Sequence, residues 1–308
     1  MPGQLMLVDS PALWYRAFHG VPDSVRSPQG EPVNAVRGFL DLVSRVVREQ
    51  RPDRLVCAVD LDWRPAFRVA AVPSYKTHRA LPSGAEIEPD GLAAQVAVLL
   101  DVLAALGVPV VGAEGHEADD VLGTLATRGP GPVDVVTGDR DLLQLVDDSR
   151  GVRVLYAVEK MKPYDEAAVS AKHGIPGRAY AEYAVLRGDP SDGLPGVKGV
   201  GEKTAAALVT RFGTVEGVLA ALDSGSEDGF PAGSRLKLEA ARDYLAVAPA
   251  VSRVVRDLPL PELDDALPQA PRDPAGLVAL SERWGLDSAL SRFLAALEVA
   301  GGASAAGG

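Results

Sequence analysis

Five short apolar runs, each ending at a turn residue, constrain this chain more than any other feature. They occupy residues 5–8, 55–59, 108–111, 133–136 and 152–155. All are rich in β-branched residues and have the length of buried strands. Helical stripes separate them. Val36, Phe39, Leu40, Val43, Val46 and Val47 recur at helical spacing, as do Leu92, Val96, Leu99, Leu100, Leu103 and Leu106, while Val121, Leu122 and Leu125 form a shorter stripe. Alternation of continuous apolar strands with helices predicts an α/β fold, a mostly parallel central sheet covered on both faces. With 308 residues and 47% hydrophobic composition, the chain can bury a sizeable core.

Acids sit where those strands end. Asp9 closes the first run and Asp60 the second; Glu114 and Glu117 follow the third, with Asp119 and Asp120 opening a helix. Asp139 and Asp141 follow the fourth. Ligands of open α/β sheets bind at the carboxyl ends of the strands, so separate segments bring anions to one edge. Helical spacing predicts that Glu117 and Asp120 share a face and that Asp119 turns aside. Each acid alone has an ordinary explanation: helix-dipole placement for Glu117, Asp119 and Asp120, capping or turn initiation for Asp9 and Asp139. Taken together they favour a cation site. An oxygen-only donor set suits Mg²⁺ or Mn²⁺ rather than zinc.

Charge and cysteine content narrow the function classes. The net charge is −11, from 42 acids and 31 bases, which argues against simple electrostatic adhesion to nucleic acid. The excess is local: residues 80–127 hold eight acids and no Lys or Arg. Cys57, the only cysteine, excludes internal disulfides and cysteine zinc clusters. No apolar run reaches the ~20 residues of a membrane helix, and the opening MPGQLMLVDSP has no secretory pattern. The expectation is a cytoplasmic monomer with no membrane association.

The second half supplies a phosphate grip. Gly196, Gly199 and Gly201 interleave with Val197, Lys198 and Val200 ahead of a helix expected over 204–212, with Lys203 beside it. Glycines admit close backbone approach, free N–H groups at a helix start attract phosphate, and the lysines add charge without reading bases. Just upstream, Asp189 and Asp192 stand three apart, either as further ligands or as an Asx-turn. A helix is expected over 277–297.

The ordered motifs LMLVDSPALWYRAFHG, AVDLDWRPAFR, SYKTHR, GHEADDVLGTLA, TGDRDLLQLV and GDPSDGLPGVKGVGEKTA resemble the bacterial 5′–3′ exonuclease and flap endonuclease family, including the nuclease domain of DNA polymerase I. The likeness runs over residues 5–293. It implies a PIN-like nuclease domain over 1–171 with a helical arch around 72–100. A helix-hairpin-helix DNA-binding subdomain would follow over 172–250, then a C-terminal helical segment over 251–300 and a disordered tail over 301–308. Asp9, Asp60, Glu117, Asp119 and Asp120 match one metal cluster; Asp139, Asp141, Asp189 and Asp192 match the other. Lys76 and Arg79 would reach the scissile phosphate and Tyr75 would stack on an unpaired base. Carbonyls of Val197 and Val200 would hold a K⁺ at the glycine-rich turn. Arg16 and Arg68 would contact phosphate, or pair with structural carboxylates.

The resemblance implies hydrolysis of DNA near a 5′ flap, nick or frayed 5′ end, RNA-primed ends included, by two metal ions. Three departures stand out: Ser10-Pro11 follows Asp9 where relatives often have Gly and polar residues, Gly193 follows Ser-Asp where they often carry Asn, and 80–91 is acidic and lacks Lys or Arg. A non-catalytic junction-binding scaffold and a metal-dependent RNase are the alternatives. Cleavage of a flap duplex on adding Mg²⁺ or Mn²⁺ separates them.

Overall fold

Alternate residues of the strands point to opposite faces, and both faces are apolar. From β1 (Leu5–Asp9), Leu5 and Leu7 enter one core while Met6 and Val8 enter the other. The computed structural model describes residues 3–225 and 228–305. The remaining strands are β2 (Arg54–Ala58), β3 (Val110–Val111), β4 (Val133–Thr137), β5 (Val152–Tyr156) and β6 (Lys162–Tyr164). Their order is β3-β2-β1-β4-β5-β6, with the first five parallel and β6 antiparallel to β5. Asp9 therefore ends the central strand, beside Ala58 of β2, at the edge where the loops after β2 and β4 also emerge. The predicted parallel sheet is present, and β6, which lacks an apolar pattern, is added at its edge.

Helices α1 (Ser10–Gly20), α2 (Asn34–Gln50), α4 (Leu92–Leu106), α13 (Pro274–Trp284) and α14 (Asp287–Ala305) supply one core. The other receives α5 (Ala118–Arg128), α7 (Tyr180–Arg187), α8 (Glu202–Phe212) and α9 (Val215–Asp223). Short helices α3 (Ala66–Ala71), α6 (Glu166–His173), α10 (Ser234–Glu239), α11 (Arg242–Val247) and α12 (Pro249–Ser252) complete that side. No single helix among the described residues is long and apolar enough to cross a membrane.

Three expectations change. Residues 72–100 form no helical arch: Pro82, Gly84, Pro89 and Gly91 break the chain, with Gly84 and Gly91 at positive φ (+87° and +81°). Residues from Leu92 onward are instead the start of a core helix. The run over 277–297 is two helices, because Gly285 adopts φ +66° and caps the first. Residues 301–305 of the expected disordered tail continue α14, whose Ala300 is buried; 306–308 lie outside the described residues.

One cation ties the helices to the chain that crosses beneath them. Arg253 donates to Glu182 of α7 at 2.6 Å and to Glu216 of α9 at 2.8 and 2.6 Å, while Glu182 also accepts the Val215 N–H at 2.9 Å. The Arg253 bonds pull the Glu216 carboxyl from its ordinary 4.5 to about 2. A depressed acid stabilises the fold above its unfolded pKa and loses that contribution as pH falls toward its folded pKa. The Tm difference between wild type and Glu216→Gln is accordingly expected to be widest above pH ~5 and to shrink as pH falls toward ~2, measured by circular dichroism across that range.

Candidate metal centre and nucleic-acid interface

The strand ends place five carboxylates around one cleft. Asp9, Asp60, Glu117, Asp119 and Asp139 line a cavity of about 460 Å³, together with Lys76 and Arg79. Local chemistry sets each acid. Asp9 caps α1, accepting the Ala12 N–H at 3.1 Å, while its other oxygen takes the Thr137 hydroxyl at 2.5 Å. The same Thr137 oxygen accepts the Asp139 N–H at 2.8 Å, so one hydroxyl fixes both acids at the end of β4. Asp60 accepts the Ala118 N–H at 2.6 Å, tying the β2 exit to the start of α5. Burial, opposed in part by those hydrogen bonds, pushes the Asp9 carboxyl up to about 7 and Asp60 up to about 6. Asp119 is also raised well above the usual carboxylate range, by burial first and then by Asp139, Asp9 and Glu117.

Asp120 does not join them. Glu117 is the N-cap rather than a helical residue, and Asp120 lies on the inner face of α5. There it is fully buried, bonded in fork fashion by Arg68 at 2.6 and 3.0 Å and by the Val255 N–H at 2.8 Å. Glu117 and Asp120 do meet as expected, through a capping box and a shared Arg68, but the expectation fails for Asp119, which reaches the cleft instead of turning aside. Arg68 is itself 2% exposed and bonds Glu117, Asp120 and the Val251 carbonyl, so it is no surface phosphate contact. Tyr75 is also buried, its hydroxyl donating to Glu117 at 2.6 Å, which removes it from any stack with a base. The aromatic rings at the cleft are Tyr15 and Trp63, neither of which the sequence pattern singles out.

A second group stands beside the first. Asp141 is buried with Oδ1 lacking any partner, and its carboxyl is raised by burial, then by Asp139, Asp192 and Asp189. Burial also raises Asp192 to about 6. Asp189 is held at home, by Arg187 at 3.1 Å, Arg140 at 3.4 Å and the Ser191 N–H at 2.9 Å. Among the described residues, no three His, Cys, Asp or Glu side chains form a ready-made cage for an ion. The all-oxygen donors, the orphaned Asp141 oxygen and the raised carboxyls nonetheless fit hard divalent cations that keep much of their water.

The loop carrying Lys76 is fastened to the Asp189–Asp192 turn. Lys76 N–H donates to the Asp192 carbonyl at 3.0 Å, Ser74 Oγ to the Gly193 carbonyl at 2.8 Å, and Arg79 to the Ser191 carbonyl at 3.0 Å. Gly193 has φ +74°, and a Cβ there would collide with the Ser74 carbonyl oxygen, so the close approach of the two loops requires glycine. Lys76 adopts φ +46°, uncommon for a non-glycine residue, and its ammonium pairs with Glu117.

At the glycine-rich turn Lys198, Gly199, Gly201 and Lys203 are exposed, Gly196 is half-buried, and Gly201 is the N-cap of α8. Val197 and Val200 are buried; the Val200 N–H donates to the Val197 carbonyl at 2.9 Å. Lys237, unnoticed in the sequence, donates to the Gly199 carbonyl at 2.8 Å and adds a third positive charge. Arg16 is exposed on α1, in a groove with α2 separate from the acidic cleft.

Residues 4–174 match the 5′–3′ exonuclease N-terminal resolvase-like domain, and 175–274 match the 5′–3′ exonuclease C-terminal SAM fold. The chain belongs to the 5′–3′ exonuclease family. A Streptomyces coelicolor protein named 5′–3′ exonuclease is 54% identical, with 95% of this chain and 99% of that one covered. A Mycobacterium tuberculosis protein of the same name is 48% identical over 97% and 99%. Mycobacterium bovis DNA polymerase I is 38% identical over 87% of this chain, which spans 29% of the polymerase. Among solved structures, the phage T5 flap endonuclease in complex with DNA and metal ions aligns with TM-score 0.62 at 18% identity, covering 96% and 99%. The Rad2 catalytic core with DNA aligns at 0.59 and 17%, covering 95% and 92%. At these identities the two structures bear on the fold of this exonuclease family member.

Removing Arg68 leaves two buried carboxylates facing each other. Arg68→Ala is expected to destabilise the protein by about 3–5 kcal/mol in urea denaturation, with Asp120→Asn added on that background recovering part of the loss.

Proposed function

We propose that this chain is a divalent-metal-dependent 5′–3′ exonuclease and flap endonuclease acting on DNA at 5′ ends, nicks and flaps beside duplex. One observation carries the proposal: acids from the ends of β1, β2 and β4 and from the start of α5 meet at a cleft that also receives Lys76 and Arg79. Asp9, Asp60, Glu117, Asp119 and Asp139, with Asp141 and Asp192 alongside, are the residues that would hold Mg²⁺ or Mn²⁺ ions. Such ions supply positive charge at a phosphate and acidify water at neutral pH.

The chain's own groups do the rest. Arg79 and Lys76 sit at the cleft wall, placed to draw the scissile phosphate toward the carboxylates. Lys76 must exchange its Glu117 partner for that phosphate, while Arg68 and Tyr75 keep Glu117 in position. Thr137 holds Asp9 and Asp139 in a fixed relation. Tyr15 and Trp63 offer the aromatic surface for the terminal base, the role expected of Tyr75. Lys198, Lys203 and the free N–H groups at the start of α8 grip the duplex backbone away from the cleft, in a helix-hairpin-helix unit within 172–250 whose Val197 and Val200 carbonyls would take K⁺.

Cleavage of a nicked and a 5′-flap duplex should appear on titrating Mg²⁺ or Mn²⁺ and be absent in chelator. Asp119→Asn should lower the rate by about a hundredfold or more while binding to the same duplex changes little; equal loss of both would place Asp119 in the folding machinery instead. Lys198→Ala should leave the single-turnover rate at saturation in place and weaken duplex binding. The slope of log K against log salt should become shallower by about 0.9 for each phosphate no longer neutralised, followed by fluorescence anisotropy.

A further inference from the structure

The segment after Arg79 folds back over the cleft. Ile87 N–H donates to the Arg79 carbonyl at 2.7 Å, Leu81 N–H to the Ala85 carbonyl at 2.8 Å, and Ala80 bridges Glu86 in antiparallel fashion. The result is a tight hairpin whose Glu86 and Ile87 line the acidic cleft together with Asp9 and Asp60. Glu86 is half-buried among Asp60 and Glu88, which repel it, and Lys76 and Arg79, which attract it. It faces the same two cations that draw in the phosphate, yet it comes from outside the carboxylate-bearing strand ends.

Resting on the nuclease function proposed above, we propose that Glu86 is a specificity-determining residue: its carboxylate at the cleft wall disfavours a long single-stranded 5′ flap relative to a 5′ end at a nick. A flap that leaves the cleft past this hairpin brings several phosphates near Glu86, Glu88 and Asp90. A nick presents its terminal phosphate to Lys76 and Arg79 with no strand continuing outward. Residues 80–127 contribute no lysine or arginine of their own, which leaves Lys76 and Arg79, the cations that a nick's terminal phosphate engages as well, as the charge set against Glu86 at this wall. Each added phosphate within a Debye length, ~10 Å at 0.1 M salt, raises the barrier for the flap alone.

The test compares kcat/KM for a nicked duplex and for a duplex with a long 5′ flap, both with Mg²⁺, in wild type, Glu86→Gln and Glu88→Gln. Glu86→Gln is expected to raise the flap-to-nick ratio about fivefold at low salt, an effect that shrinks as salt is raised; Glu88→Gln should act in the same direction but less. An unchanged ratio in Glu86→Gln overturns the proposal, as does loss of both activities, which would make Glu86 part of the metal-holding set. Failure of wild type to cut either substrate would instead strike the nuclease function itself, so the two are distinguishable. A fold check by circular dichroism accompanies each variant, and Glu86→Asp, which keeps the charge, should hold the wild-type ratio.

Discussion

The buried Arg68 guanidinium is the contact on which the rest of the site depends. A parallel sheet that gathers acids at the ends of its strands accumulates repulsion there, and some of that charge must be met from inside. Arg68 meets it by bonding Glu117 and Asp120 at once, with the Val251 carbonyl as a further partner. Burying three charges is justified only when their hydrogen-bonding groups are satisfied, and here the Val255 N–H completes Asp120. The crossing chain at 251–255 is therefore fastened beneath the cleft by the same ions that shape it. Gln144 extends this link: its side chain bonds the Val254 N–H at 3.0 Å and the carbonyls of Ser252 and Asp141 at 3.0 and 2.9 Å. Both groups of cleft acids thus rest on one strap of backbone.

That arrangement divides the acids by task. Asp120 neutralises and positions, Glu117 stands between Arg68 and the cleft, and Asp9, Asp60, Asp119 and Asp139 remain turned toward the space where a phosphate would enter. The raised carboxyls at Asp9 and Asp60 arise because burial outweighs the few donors that reach them. Cations relieve such a cleft more readily than protons do at neutral pH. Meanwhile backbone and side-chain hydrogen bonds fasten the Lys76–Arg79 loop to the 189–194 turn, joining these cations to the outer acids, with Gly193 as the close-approach point.

Much of this was legible in the sequence because it follows from strong local patterns. Apolar runs of strand length and acids just past them yielded the parallel sheet, its loaded edge and the positions of Asp9, Asp60 and Asp139. The choice between Asp119 and Asp120 was not legible: Asp120 is held inward by Arg68 and the Val255 N–H, partners 52 and 135 residues away in the chain. For Arg68 the sequence left phosphate contact and pairing with a structural carboxylate both open, and the structure takes the second; for Tyr75 it suggested a ring free to stack. Their burial comes from long-range partners, Glu117 and the 251–255 strap, which no nearby spacing announces. Trp63 and Tyr15 escaped notice for the same reason, as did Thr137, although a hydroxyl preceding Gly138-Asp139 at a strand end was a signal available to find it.

Glu86 shows how far a break in local pattern can carry. The glycines and prolines of 80–91 forbid a continuous helix, so the segment returns on itself after Arg79 instead of extending away from the sheet. A short return forces its side chains to meet the cleft wall, and the first acid of the run is the one that arrives there. An extended helical segment of the same composition would have kept that charge in water, where screening would blunt it. Held at the wall beside Lys76 and Arg79, the same carboxylate acts in a less polarisable setting and on any strand leaving past it. Backbone breakers, rather than the acidic composition itself, are what turn this stretch into an element able to sort one 5′ end from another.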